Sequence, residues 1–207
     1  MFARDYRQAA WKALAGNWGT MVVIYLIYLA ITAVCGIIPA AGSIAVLIIS
    51  GPLAIGFYGA TLKVIRGEKP EIVNLFDGFQ NFVNALVLNL VNSIFIVLWS
   101  LLFVIPGIVK ALSYSMSYFI LIDNPEMSHS EARRASMAMM EGHKWRLFCL
   151  ELSFIGWMFL CALTGGILTL WIQPYMSTAM AAFYEDLKAQ QAPAIEQPAA
   201  VSEVIGE

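Results

Sequence analysis

The sequence predicts an all-α, polytopic membrane helix bundle of six transmembrane helices with short interfacial amphipathic helices. Three observations carry this. The chain of 207 residues is 60% hydrophobic and only 13% charged, against about 25% charged in a soluble domain. The apolar residues gather in long runs almost free of charge, 19–62, 82–109 and 147–184. A hydrocarbon core of about 30 Å needs about 20 apolar residues as a helix. The runs lack the period-2 alternation of barrel strands, so helices are the spanning structure left.

The elements follow in order. In residues 2–15, Phe2, Tyr6, Ala9, Ala13 and Leu14 fall on one side at helical spacing, with Arg4, Arg7, Gln8 and Lys12 elsewhere. That pattern predicts a short helix in the membrane interface, ended by Gly16 and Asn17. A first span runs from Trp18 to Ile38. It starts too late and runs too long for a cleaved leader, and is expected to act as an uncleaved anchor. Residues 39–42 break it, and a second span covers Ser43 to Ile65. Residues 66–81 are polar with a few apolar anchors. A third span covers Phe82 to Ile105.

Pro106-Gly107 comes next, and two placements fit. It forms the turn before span four, or it kinks span four while the turn lies near Trp99-Ser100. Span four ends near Ile122, before the turn signal Asp123-Asn124-Pro125. Ser128 and Glu131 have capping-box spacing, starting a helix that runs to Glu141 and stops at Gly142. Span five covers Leu147 to Leu163, Gly165-Gly166 breaks it, and span six reaches Tyr184. Residues 1–188 then form a single membrane domain. Residues 189–207, rich in Ala, Pro and Gln, are expected to be a disordered cytoplasmic tail. Gly16, Gly78 and Gly142 recur at intervals of 62 and 64 residues, which suggests a threefold internal repeat.

The basic residues orient the chain. With six spans, 11 of the 12 Lys and Arg lie on one side. Lys and Arg are retained in the cytoplasm, so both termini are expected there. Lys110 is the exception.

Few residues could carry chemistry. Lys110 and Glu151 sit in apolar surroundings, and a charge at membrane depth is a functional-site hypothesis. Alternatively, Lys110 snorkels to the outer interface, and Glu151 pairs with an inner-leaflet base such as Lys144. The two belong near opposite faces, so no direct pairing is expected. Asn89 and Asn92 share a face of span three, suited to interhelical hydrogen bonds or to lining a polar cavity. Lys110, Glu151, Asn89 and Asn92 together are the candidate intramembrane site. Arg133, Arg134, Lys144 and Arg146, with Trp145 among them, are the candidate contacts to anionic lipid headgroups.

His129 and His143 have no ligand-spaced His or Cys near them, so no metal site is read. Cys35, Cys149 and Cys161 show no CxxC spacing. No nucleotide, hydrolase or metalloprotease motif occurs, so neither an enzyme nor a cofactor is expected. Membrane lipids are the expected partners, with a membrane protein or a second copy as further options; nucleic acid is not one.

The stretch Leu98 to Lys144, LWSLLFVIPGIVKALSYSMSYFILIDNPEMSHSEARRASMAMMEGHK, resembles the bacterial integral membrane proteins of domain-of-unknown-function family 975. Gly16-Asn17-Trp18, Gly51-Pro52-Leu53, Leu75-Phe76-Asp77-Gly78-Phe79 and Ala182-Phe183-Tyr184-Glu185-Asp186-Leu187 extend the resemblance from Arg4 to Lys188. The resemblance implies a bacterial inner-membrane protein. More distantly, the chain is similar to the membrane domain of some glycerophosphodiester phosphodiesterases, which implies a phospholipid setting. Their catalytic barrel is absent from this sequence, and the resemblance transfers no active-site residue.

Overall fold

A computed structural model describes residues 3–37, 41–102 and 104–195. Every regular element among them is a helix. These are α1 (Ala3–Leu14), α2 (Trp18–Gly36), α3 (Ala41–Ile65), a 3-10 helix (Ile72–Phe79), α4 (Phe82–Leu102), α5 (Val104–Tyr114), α6 (Ser117–Asp123), α7 (His129–Met139), α8 (Lys144–Leu152), α9 (Ile155–Leu163) and α10 (Thr169–Ile195).

Five segments are long and apolar enough to cross a membrane: Trp18–Gly36, Ala45–Ile65, Phe82–Leu101, Ile105–Asp123 and Lys144–Leu163. The expected sixth is not among them. α10 has the length, at 27 residues, but Gln173, Glu185, Asp186 and Lys188 dilute its apolar character. α10 also continues past Lys188 to Ile195, so the first part of the expected tail is helical. Residues 196–207 of that tail lie outside the described residues, as do Phe2, Ile38 and positions 39–40 of the expected break at 39–42, while Ala41 and Gly42 of that break already belong to α3.

Burial sorts the spans into two layers. Only 17% of the residues in the α2, α4 and α8–α9 spans are buried, against 44% in α3 and 50% in α5–α6. The poorly buried spans carry Leu101 and Leu163 more than four-fifths exposed. Apolar surface on that scale is stable against lipid tails, not against water. The inner helices meet through aromatic rings. Tyr58 of α3 stacks on Tyr118 of α6 at 5.4 Å, and Phe119 stacks on Tyr184 of α10 at 5.3 Å.

The short helices fold back onto the inner layer. α1 packs on α10, the 3-10 helix on α3, and α7 on α5 and α6. Tyr6 meets Phe183 at 5.2 Å while Trp11 meets Tyr175 at 5.7 Å, so α1 runs antiparallel to α10. The expected amphipathic helix is present, and its apolar face is covered by α10. Its buried face is Tyr6, Ala10 and Leu14, a strict four-residue stripe, and Ala9 is exposed. The 3-10 helix within 66–81 lies where the repeat reading expects a short helix ahead of a span. Gly78 permits its close approach, because a Cβ there would lie 2.0 Å from the carbonyl oxygen of Pro52.

Pro106 settles into the first turn of α5, where its missing N–H costs no helical hydrogen bond. Gly107 packs so closely on Ser100 that a Cβ would approach its Oγ to 2.2 Å. The turn therefore falls between α4 and α5, just before Pro106. Ser128 caps α7 as its spacing predicts. Its backbone N–H donates to Glu131 at 2.9 Å, and its hydroxyl accepts from the Glu131 N–H at 3.4 Å. α8 and α9 are one apolar run interrupted at Ser153 and Phe154.

Candidate functional site

Asn89 and Asn92 project from α4 into the inner layer. The Asn89 amide donates to Ser50 Oγ of α3 at 2.9 Å, and its oxygen accepts from the Tyr118 hydroxyl of α6 at 2.8 Å. Asn92 donates to Ser117 Oγ at 2.9 Å. These are helix-to-helix bonds, which satisfy polar groups that lipid cannot. Asn92 Oδ1 is buried without a partner among the described residues.

Lys110 and Glu151 do not join them. The Lys110 ammonium lies 5.3 Å from the ring centre of Trp99 and 6.0 Å from that of Tyr114. Aromatic faces attract a cation, so this half-buried charge has a setting of its own. Glu151 is exposed on α8 and forms none of the salt bridges among the described residues. No hydrogen bond or salt bridge among the described residues links Lys110 or Glu151 to Asn89 or Asn92.

The basic inner face also divides. Arg133 is tucked over Phe95 at 4.7 Å and Tyr114 at 5.8 Å, and its Nη1 is buried without a partner among the described residues. Arg146 binds Asp186 at 2.7 Å and donates to the Tyr6 hydroxyl, tying α8 to α10 and α1. Arg134 is exposed, and Lys144 is half-buried beside the exposed Trp145. Lys144, Trp145 and Phe148 form one wall of a cavity of about 440 Å³ whose other wall is Ile105, Ile108, Val109 and Leu112. Two of the four expected headgroup contacts are thus committed to protein, and two remain available.

Asp186 shows how far the commitment of Arg146 goes. Burial pushes its carboxyl up, but bonds from Tyr6, Arg146 and Gln190 outweigh this and hold it below the usual carboxylate range. Tyr6 is raised, first by burial and then by its bond to Asp186.

A second charged cluster gathers residues far apart in the chain. Arg66 at the end of α3 donates to both oxygens of Asp123 at 2.8 Å and to Glu185 at 2.8 Å. Lys188 reaches Asp123 at 2.6 Å, and the Tyr184 hydroxyl donates to it at 3.0 Å. Arg66 had been read only as an orienting charge and Asp123 only as a turn residue. Their one shared signal is that each ends an apolar run. Beside them Lys63, Arg66, Glu68 and Asp77, together with Ile55, Leu62, Leu121 and Ile122, line a cavity of about 340 Å³. Lys63 and Asp77 face each other there at 3.6 Å.

Two more cavities adjoin at α1. One, of about 530 Å³, is lined by Arg4, Arg7, Gln8, Trp11, Lys12 and Tyr175. The other, of about 570 Å³, lies among Trp11, Trp18, Trp157, Trp171 and Tyr175. Among the described residues no three His, Cys, Asp or Glu side chains converge as a metal site.

Comparison with known proteins gives one match. The model of a family described as proteins of unknown function, DUF975, matches residues 1–113 and again 101–191. No curated protein matches, and no solved structure matches.

Proposed function

The chain belongs to the DUF975 family of proteins of unknown function, and we propose that it is a non-enzymatic membrane protein that binds lipid, or a membrane partner, through its helix bundle and basic inner face. The observation that carries this reading is the cavity between Lys144–Phe148 and Ile105–Leu112. It joins an apolar trough to an ammonium and an exposed indole, the two halves of a phospholipid contact.

In this reading the chain crosses a bacterial cytoplasmic membrane six times, with α10 as the sixth span and both termini inside. Support comes from the Lys and Arg distribution, which only an even number of spans keeps on one side. The chain is also read as three repeated units. α1, the 3-10 helix and α7 each precede a poorly buried span, and each folds back on an inner helix.

The geometry favours lipid binding over transport. Asn89 and Asn92 use their amides to join helices, and Glu151 is exposed rather than set in a polar passage. The test is lipid retention by the purified protein in native mass spectrometry. Wild type is expected to keep phospholipid through delipidation, and Arg134→Glu with Lys144→Glu to keep less anionic lipid. A wild type that emerges free of lipid refutes the reading. A reporter fused after Lys188 is expected to report the cytoplasm, and a periplasmic signal refutes the six-span topology.

A further inference from the structure

The two cavities at α1 share the walls Trp11 and Tyr175. One is cationic, with Arg4, Arg7 and Lys12 and no carboxylate among its lining residues. The other is almost wholly apolar, built of Trp11, Trp18, Trp157, Trp171 and Tyr175. From this juxtaposition we propose a specific site for one anionic glycerophospholipid, its phosphate on Arg4, Arg7 and Lys12 and an acyl chain in the indole trough. The proposal rests on the lipid-binding reading above and names the lipid class and a second location for it.

Three observations fix the occupant. First, none of the three cations takes part in a salt bridge among the described residues. Arg146 and Arg66 on the same side are each paired with carboxylates, whereas the α1 cations, like Arg134 and Lys144, are open to an external anion. Second, Arg7 is held in place before any ligand arrives. Its Nη1 donates to the Ser153 carbonyl at 3.4 Å, its guanidinium lies 5.5 Å from the centre of the Phe154 ring, and the Tyr175 hydroxyl donates to its own carbonyl at 3.2 Å. Its Nε is buried without a partner among the described residues, a donor left unmet in a site that otherwise satisfies its polar groups. Third, the indoles are ordered as a wall: Trp11 meets Trp18 edge-on at 5.2 Å and Tyr175 edge-on at 5.7 Å. Indoles seat at the boundary between headgroup and chain, where one end is wet and the other apolar.

Charge complementarity selects the headgroup. A cluster of cations without a carboxylate attracts phosphatidylglycerol and repels the choline of phosphatidylcholine. The sequence places Arg4, Arg7 and Lys12 beside Trp11 and Trp18, but the trough needs Trp157 and Trp171 from the other end of the chain.

The test uses full-length protein in neutral detergent and native mass spectrometry, titrated with phosphatidylglycerol or phosphatidylcholine of matched chains. Arg4 and Lys12 are exposed, so Arg4→Glu with Lys12→Glu leaves the core intact. The milder pair Arg4→Gln with Lys12→Gln repeats the test by charge removal alone. Phosphatidylglycerol retention is expected to fall about tenfold in the reversal pair, with phosphatidylcholine unchanged. Trp157→Ala is expected to weaken both lipids. Wild-type retention of phosphatidylglycerol by both α1 pairs overturns the proposal, as does equal retention of the two lipids by wild type. Displacement of the lipid by millimolar inorganic phosphate also overturns it in favour of a free-anion site. If the α1 pairs behave as wild type while Arg134→Glu with Lys144→Glu loses lipid, this site fails and the general reading stands. If wild type retains no lipid, both fail.

Discussion

Arg66 and Asp123, 57 residues apart in the chain, meet as a two-pronged ion pair with both contacts at 2.8 Å. Glu185 and Lys188 extend the pair to α10. One cluster therefore joins the C-terminal ends of α3 and α6 to the middle of α10, next in sequence to the ring contacts of Phe119 and Tyr184.

Asp123→Asn is expected to destabilise the bundle by about 2–3 kcal/mol, the scale of lost hydrogen bonds to a charged group. The Asp123 side chain is only 9% exposed, so water replaces little of what is lost. Thermal or denaturant unfolding in detergent reads the change. An unaltered midpoint argues that the cluster contributes nothing.

Acid sensitivity is expected to run through Asp186. Its carboxyl is held below the unfolded range by Tyr6, Arg146 and Gln190 against the opposing effect of burial. A depressed carboxylate stabilises fully above its unfolded pKa, about 4, and that stability is lost as pH falls through the folded value. Asp186→Asn is expected to lower stability at neutral pH and to flatten the decline below about pH 4. Parallel pH profiles for the two proteins contradict the assignment.

Gly78→Ala and Gly16→Ala separate two reasons for a glycine. At Gly78 the added methyl meets the Pro52 carbonyl, and the 3-10 helix has to lift from α3. The cost expected is about 3 kcal/mol. At Gly16 the surrounding space is open and only the backbone, φ +88°, resists, so about 1 kcal/mol is expected. Equal midpoints for the two variants refute this ordering.

Asn89→Ala removes bonds to two helices and Asn92→Ala removes one. In lipid such bonds average about 0.6 kcal/mol, up to about 1.7, and Asn89→Ala is expected to cost more. A larger loss at Asn92 refutes the ranking and points to a role for its unpartnered oxygen.

What the sequence made legible is what composition and local spacing control. Of the six spans expected from the apolar runs, five are helices long and apolar enough to cross a membrane, and the Ser128–Glu131 cap appears where its spacing puts it. The bonding of Asn89 and Asn92 between helices also followed, because a buried amide in lipid has few alternatives. The pairings were not legible. Arg146 and Asp186 are 40 residues apart and Tyr6 and Asp186 are 180 apart, and no local pattern marks one cation as paired and the next as available. The docking of α1 was missed for a related reason. An amphipathic stripe states that one face is covered, but not whether lipid or α10 covers it. The number of crossings stays tied to α10, whose polar residues face neighbours that a linear reading cannot supply.

α9 is the counterpart to this well-tied interior. None of its residues is buried, and the chain is already interrupted at Ser153 and Phe154 just before it. Apart from Trp157 at the indole trough, little of it is tied to the interior, so its resting angle belongs to the surrounding bilayer as much as to the protein. A thinner or thicker membrane is expected to tilt this segment first, making it the part of the molecule that senses its solvent.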